Sequence, residues 1–263
     1  MTLARLAGRP KKSAVWYAAK TAYFDRKKVH NFVSDDIDGF RAYVRVRYAR
    51  SCARLVGLSA GAVEQLPQLA SKDSTPAEYI AFAFWSKCVR GCQAAFILAE
   101  RGMVADAQAS LRGAVETLFH AVALVRKPEL LDRLHKHDDA EKKKQVEQMF
   151  KQKDINAALT DENKARLQPL LELPGKSTFS VWEAADAAGM GHLYETVYRT
   201  LSQIAAHSTL TSLNHELLAA EVGRPKLRFG PTEEKLEWTI DLISDCLAAG
   251  IHVMQIFTTP SSA

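Results

Sequence analysis

Two sets of polar side chains stand at helical spacing within apolar stretches, and both could carry chemistry. The first set is Arg112, Glu116 and His120, which lie four residues apart and spread over about 80° of one helix surface. An arginine can hold a phosphate, and a histidine can transfer a proton near neutral pH. The same spacing also fits a structural Arg–Glu ion pair at i and i+4, so both interpretations stay open.

The second set repeats this geometry with Arg199, Gln203 and His207, and Ser202 lies among them. The segment 207–216 is rich in groups able to bind a phosphate, a sugar hydroxyl or a buried carbonyl. If the two helices pack together, their Arg, Glu and His side chains would form a polar pocket that binds an anion and moves a proton. The alternative is structural, because a histidine beside Ser and Thr often caps a helix end.

Metal and cofactor chemistry has little support in the sequence. A cluster of possible zinc ligands consists of His135, His137, Asp138 and Asp139. The cluster matches no established zinc spacing, so a solvated charged loop is the alternative. The cysteines form no Cys-x-x-Cys pair and are expected to be buried free thiols: Cys52, Cys88, Cys92 and Cys246. Phosphate-loop and dinucleotide-binding motifs are absent from the sequence, and we expect no metal ion and no cofactor.

Positive charge is concentrated at the start of the chain. The 263 residues carry a net charge of +5, but residues 1–30 alone carry +7, which leaves the remainder at −2. This asymmetry is typical of a basic arm that contacts nucleic acid or another anionic surface. We expect the contacts to come from Arg5, Arg9, Lys11, Lys12, Arg26, Lys27 and Lys28. The first predicted helix would extend this basic surface with Arg41, Arg45, Arg47 and Arg50.

Helical periodicity runs through nearly the whole chain, and no sustained alternation predicts a strand. We expect an all-α helical bundle of roughly nine helices, forming one domain over 34–263 behind the basic arm at 1–33. Thr75–Glu78 and Ser180–Glu183 are capping boxes. The predicted helices cover 35–56, 76–101, 104–125, 129–137, 181–188, 192–207, 210–221 and 233–257. Residues 138–168 hold few large apolar groups and are expected to form a charged helical excursion.

Composition excludes several classes of protein. Hydrophobic residues make up 47% and charged residues 25%, which is typical of a globular protein and excludes a disordered chain. No run of 18 apolar residues predicts a membrane span, and the most apolar stretch, Leu242–Phe257, is interrupted by polar residues and predicts a core helix. The N-terminus lacks a secretory signal, so we expect a cytoplasmic protein that does not contact a membrane.

A longer pattern surrounds both candidate sets. Gly102 opens a turn before the helix that holds Arg112 and Glu116, and Ser202 is followed five residues later by His207-Ser208. Over about Tyr79 to Glu216 this pattern resembles a widespread bacterial family catalogued as a domain of unknown function. The family implies an all-helical fold but no activity.

The helical make-up of that family is similar to the HEPN (higher eukaryote and prokaryote nucleotide-binding) superfamily. Many HEPN members are metal-independent ribonucleases of toxin and phage-defence systems, with an Arg-x(4–6)-His motif at a dimer interface. The nearest matches here are Arg199 with His207 and Arg112 with His120, and each pair has seven intervening residues, one more than the motif contains. The resemblance therefore implies a homodimer, and it leaves catalysis open.

Two functions follow. The first is a helical protein without clear catalytic residues that binds RNA, DNA or a partner protein, in phage defence or a toxin system. The alternative is a HEPN-like ribonuclease, in which Arg112 and Arg199 hold phosphate, His207 acts as acid and base, and Glu116 orients an Arg or His. In the first function, Arg112–Glu116 and Ser202–His207 are structural ties between helices.

Overall fold

The computed structural model describes residues 31–70, 73–206, 212–215, 217–218, 226–227 and 229–258. His207 and the seven arm residues expected to contact nucleic acid lie outside these described residues. Within the described part the fold is all-α, which confirms the predicted class. Ten helices are present in that part, close to the roughly nine expected.

The regular helices are numbered in chain order. They are α1 (Asp38–Arg47), α2 (Ala49–Leu69), α3 (Pro76–Ala99), α4 (Val104–Arg126), α5 (Leu130–Lys151), α6 (Lys153–Ala158), α7 (Asp161–Leu167), α8 (Val181–Ala187) and α9 (Leu236–Met254). A further helix over 191–206, here called the π-containing helix, includes π turns at Tyr194–Tyr198 and Ser202–Ala206. Short 3-10 turns lie at Asp35–Ile37, Gln168–Glu172, Ser212–His215 and Gln255–Phe257.

The chain divides into two compact units. The first takes its described residues from Met1–Val63, Val89–Ala114 and Thr200–Ile251. Its fully buried apolar side chains include Phe40, Leu55, Leu111, Ile240 and Ile243. Burying a side chain of this size stabilises the fold by about 1.5–3 kcal/mol, so these residues supply much of the driving force for this unit.

A tight turn connects α3 to α4 within the first unit. Gly102 adopts φ +78°, a left-handed conformation that L-residues other than glycine rarely take. The carbonyl of Gly102 accepts a hydrogen bond from the N–H of Thr232 at 3.1 Å, and a Cβ at position 102 would collide with Pro231. Glycine is therefore required here both by the backbone conformation and by the close approach of the segment before α9.

The second unit takes its described residues from Glu64–Cys88, Val115–Arg199 and His252–Ala263. Trp85 and Phe119 are fully buried in it, and α5 packs on the 3-10 turn at Gln168–Glu172. The predicted 138–168 excursion is helical, and it begins inside α5, which continues past the expected end at His137. Buried Ala140 and Val146 explain this continuation, because they extend the apolar face of α5 beyond the charged run. The expected single domain over 34–263 stays a prediction.

Both predicted capping boxes are confirmed. The N–H of Thr75 donates to Glu78 at 2.6 Å, and the N–H of Glu78 donates to the Thr75 hydroxyl at 3.3 Å. At the start of α8, the N–H of Ser180 donates to Glu183 at 2.8 Å, and the N–H of Glu183 donates to the Ser180 hydroxyl at 3.2 Å. Each box satisfies backbone N–H groups that have no partner inside their helix, which fixes where the helix begins.

The predicted helix over 35–56 is wrong in one respect, because the helix breaks at Tyr48. Its expected apolar face is buried, but Tyr48 leaves the helical conformation with φ −116° and ψ 37°. The hydroxyls of Tyr43 and Tyr48 both donate to Glu233, at 2.8 and 3.1 Å. These contacts join positions more than 180 residues apart, so local periodicity could not reveal them.

The predicted helix over 210–221 is also wrong. Ser212–His215 forms a 3-10 turn, and the two-residue strand β1 (Leu217–Leu218) pairs antiparallel with β2 (Lys226–Leu227). The pairing places Leu217 opposite Leu227. Strand pairing with a segment only ten residues further along the chain has overridden the helical period here.

One described helix is long and apolar enough to cross a membrane. It runs over Leu236–Phe257 and comprises α9 with the 3-10 turn that follows. Length and composition alone are weak evidence for a span, and Leu236, Ile240 and Ile243 are fully buried within the first unit. Polar groups are buried on the same helix, where the Thr239 hydroxyl accepts from Gln108 at 3.0 Å. These contacts favour the predicted core helix.

Candidate functional site

Arg112 and Ser202 of the candidate site are in direct contact within the first unit. Arg112 lies half-buried on α4, and its Nε donates to the Ser202 hydroxyl at 2.9 Å. The two residues are 90 positions apart in the sequence. The contact fixes the orientation of the guanidinium and ties α4 to the π-containing helix.

Glu116 contacts a residue that the sequence did not single out. In the second unit, the hydroxyl of Tyr198 donates to Oε2 of Glu116 at 3.1 Å. Tyr198 is only 6% exposed, and its ring stacks on Tyr194 with ring centroids 5.2 Å apart. A phenol held this firmly is a fixed donor, and hydrogen bonds to a carboxylate are stronger than those between neutral groups. The arrangement positions Glu116 against the π-containing helix.

The two π turns position Tyr198 and Ser202. Tyr198 is the last residue of the first π turn, and Ser202 is the first residue of the second. A π turn closes its hydrogen bond over one residue more than an α turn, and such turns are frequent at functional sites. In the first turn, the hydroxyl of Thr196 donates to the carbonyl of His192 at 2.8 Å.

His120 lies in an aromatic environment in the second unit. Its ring stacks on Phe84 at 5.1 Å and meets Phe179 edge-on at 5.8 Å. Its Nδ1 is 2.8 Å from the carbonyl of Glu116, so Nδ1 carries the hydrogen and Nε2 holds the lone pair. Burial lowers the pKa of His120 below its usual value, although the nearby Glu116 carbonyl and carboxylate oppose this. At neutral pH the ring is an uncharged proton acceptor.

Arg199 lies apart from these contacts. Its side chain is 58% exposed and forms an ion pair with Glu195, with 2.9 Å between Nη1 and Oε2. The residues are four apart on the π-containing helix, which is the spacing of an ordinary surface pair. Thus Arg112 is held by Ser202, Glu116 by Tyr198 and Arg199 by Glu195.

The prediction that the arginines of α1 extend the basic surface is wrong in part. Arg41 and Arg45 of α1 do not present free charge, because both bind Glu100, which is 3% exposed at the end of α3. The Nη2 of Arg41 donates to Oε1 of Glu100 at 2.9 Å, and the Nε of Arg45 donates to Oε2 at 2.8 Å. Arg47 lies over the ring of Tyr48, 5.2 Å from its centroid. The first two arginines therefore neutralise a buried carboxylate.

Three of the four possible zinc ligands have other contacts. Asp138 and Asp139 lie within ion-pair distance of Lys142, at 2.5 and 3.6 Å. The Nδ1 of His137 lies 3.4 Å from the Ser177 carbonyl and the same distance from the N–H of Phe179. The two aspartates therefore form ion pairs within α5, and His137 contacts the loop over residues 177–179. The four cysteines are buried and none forms a disulfide, as predicted.

Sequence reasoning missed Tyr198, Glu195, Glu100 and the rings around His120. Two of these had a signal: Glu195 precedes Arg199 by four, and Tyr198 precedes Ser202 by four, as Arg112 precedes Glu116. The signal for Glu100 was weaker, since only its position at the end of an apolar helix stood out.

The fold and these contacts define an all-helical protein in which Arg112 and Glu116 of α4 are bound by side chains of the π-containing helix. The chain belongs to a family of unknown function (DUF5677), whose model matches residues 78–223, more than half of its length. The matched range agrees with the resemblance over Tyr79 to Glu216. No curated protein and no solved structure matches the chain.

Proposed function

We propose that this protein is a non-catalytic helical binding protein that contacts RNA or DNA through residues 1–30. The observation that carries the proposal is the charge distribution, +7 in that segment against −2 in the rest of the chain. The contacts of Arg41 and Arg45 with Glu100 support it, because they remove two arginines from the competing basic surface of α1. As part of the same proposal, the protein is a bacterial, cytoplasmic homodimer of a phage-defence or toxin system.

Phosphate contacts by lysine and arginine release counterions, so the affinity for nucleic acid falls steeply with salt. For double-stranded DNA, each phosphate that a lysine or arginine neutralises adds about 0.9 to the slope of log affinity against log salt. If Lys11, Lys12, Lys27 and Lys28 each bind a phosphate, replacing all four by glutamine reduces the slope by about 3 to 4.

The test compares that variant with a matched control in the full chain. The control replaces four exposed lysines of the helical body by glutamine, namely Lys127, Lys136, Lys151 and Lys153. Both variants have the same net charge, and fluorescence anisotropy measures DNA and RNA binding over a salt series. We expect a lower affinity and a shallower slope only in the arm variant. Equal decreases in the two variants would refute the arm as the contact.

One observation favours a second function, a HEPN-like metal-independent ribonuclease. Arg199 and His207 are separated by seven residues, one more than the HEPN motif contains. The π turn at Ser202–Ala206 lies between them, and a π turn accommodates one residue more than an α turn. In this function Arg112 and Arg199 hold phosphate, His207 is the acid and base, and Glu116 orients an Arg or His. Ser202 positions Arg112 through its hydrogen bond.

A cleavage assay separates the two functions. The ribonuclease function requires that purified protein degrade RNA in the presence of a metal chelator. Replacing His207 by alanine would then lower the rate by about 10²–10⁴, as expected for loss of a general acid–base. His135→Ala, at an exposed position on α5, is the control. If the wild-type protein leaves RNA intact, or if His207→Ala cleaves normally, this second function is excluded.

A further inference from the structure

A cavity of about 530 Å³ lies in the second unit beside α5. One wall is the last half of α5, and the other is the loop that follows the 3-10 turn at Gln168–Glu172. Its lining residues are Ala140, Glu141, Lys143, Lys144, Glu147, Gly175, Lys176, Ser177 and Thr178. The volume is in the usual range for small-ligand sites.

Three ammonium groups line this cavity. The Nζ of Lys143 donates to the carbonyl of Leu173 at 2.9 Å, which fixes Lys143 against the loop. Lys144 lies 3.5 Å from Glu141, and Lys176 has no ion pair within the described part of the chain. Glu141 and Glu147 also line the cavity, so the lining carries a net charge of +1.

Neutral donors add to the lysines. The backbone N–H groups of residues 175–178 form no hydrogen bond with any described residue. The hydroxyls of Ser177 and Thr178 are likewise unbonded among the described residues. Backbone N–H groups and hydroxyls next to lysines are the donors that proteins use to bind phosphate.

We propose that this cavity binds a phosphate group, either on a free mononucleotide or in the backbone of a nucleic acid. A phosphate offers acceptors to the ammonium, N–H and hydroxyl donors, and the three lysines outnumber the two carboxylates of Glu141 and Glu147. The loop Gly175-Lys176-Ser177 has the residue types that end a phosphate loop, but Leu170 stands where that motif has its first glycine. A search for the motif therefore misses this site.

The proposal goes beyond the proposed function, because that function places the nucleic-acid contact on residues 1–30. The two can fail separately, since the cavity and the arm are altered by different variants. Lys144 and Lys176 are the residues to replace, because Lys143 also holds the loop through Leu173. The Lys151→Ala/Lys153→Ala variant is the matched control, with the same change in charge on exposed positions.

Calorimetry on the full chain measures binding of inorganic phosphate, adenosine monophosphate and a short single-stranded RNA. We expect saturable binding of at least one probe, weakened about tenfold or more by Lys144→Ala/Lys176→Ala and unchanged in the control. A preference for the mononucleotide identifies a free ligand, and a preference for RNA identifies a backbone contact. Either preference supports the phosphate site.

A second measurement uses the wild-type protein and does not depend on the variants folding. In an NMR titration with phosphate, the amide resonances of residues 175–178 should shift, whereas those of the exposed α6 residues 153–158 should not. The proposal is overturned if no probe binds up to about 10 mM, if the two double variants bind equally, or if the amides of the loop stay unchanged.

Discussion

Replacing Glu100 by glutamine removes the charge that two arginines share. The carboxylate is 3% exposed and receives hydrogen bonds from Arg41 and Arg45. It also lies at the C-terminal end of α3, where the negative end of the helix dipole disfavours an acid without a cationic partner. The substitution keeps the size of the side chain, so it tests the charge contacts with little change in packing.

The expected cost follows from the burial of each partner. Removing one member of a fully buried ion pair costs about 3–5 kcal/mol, because a buried charge is left without its partner. Here the side chains of Arg41 and Arg45 are 37% and 44% exposed, so water can solvate the arginines after the substitution. We therefore expect a destabilisation of about 2 kcal/mol and a decrease in Tm of about 4–8 °C.

Urea denaturation and thermal unfolding measure the effect. Asp38→Asn is the control, because Asp38 also pairs with Arg41 at 2.8 Å but its side chain is 58% exposed. Exposed pairs contribute about 0–1 kcal/mol, so the control should stay close to wild type. If Glu100→Gln is no more destabilising than Asp38→Asn, the inference that Glu100 stabilises the packing of α1 through Arg41 and Arg45 is refuted.

Three further predictions follow from the described contacts. Gly102→Ala should lower the free energy of unfolding by more than about 2 kcal/mol, because of its φ and the collision with Pro231, whereas Gly113→Ala, with open space on α4, should stabilise by about 0.5–1 kcal/mol. Because the folded-state pKa of His120 is lowered, its contribution to stability is complete above about pH 6.5 and is lost as the pH falls further. Between pH 7 and 5, the denaturation midpoint of His120→Gln should therefore shift less than the midpoint of the wild-type protein does. The Ser180 N–H and Arg133 lower the pKa of Glu183 to about 2, so its contribution is complete above about pH 4.5 and is lost as the pH falls towards 2. Glu183→Gln should remove this dependence, and an unchanged acid-unfolding curve would contradict the assignment.

The features that the sequence predicted well are those decided within a few residues. The Ser180–Glu183 box is an example, because its two hydrogen bonds satisfy N–H groups three residues apart. The buried face of Ile37, Phe40 and Val44 is another, since periodicity alone selects it. Both results hold because local geometry leaves few alternatives.

The features that the sequence did not predict depend on partners that are distant along the chain. Arg41 and Glu100 are 59 positions apart, and Tyr198 and Glu116 are 82 apart. Residue types alone favoured a solvent-facing role for Arg41, and only the folded chain provides the carboxylate it binds. The π turns were missed for a related reason, because a one-residue widening of a helix leaves the apolar pattern nearly intact.

The hydrogen bond from Thr232 to Gly102 bears on how the protein folds during synthesis. The first unit draws on three separate stretches of chain, and this bond joins two of them across 130 positions. At about 5–20 residues per second, the ribosome needs about 7–26 s to deliver the second partner after the first. During that interval the Gly102 carbonyl in the α3–α4 turn lacks its hydrogen bond with Thr232, because the segment before α9 has not yet been synthesised. The first unit is therefore completed only late in synthesis, after residue 232 has left the ribosome.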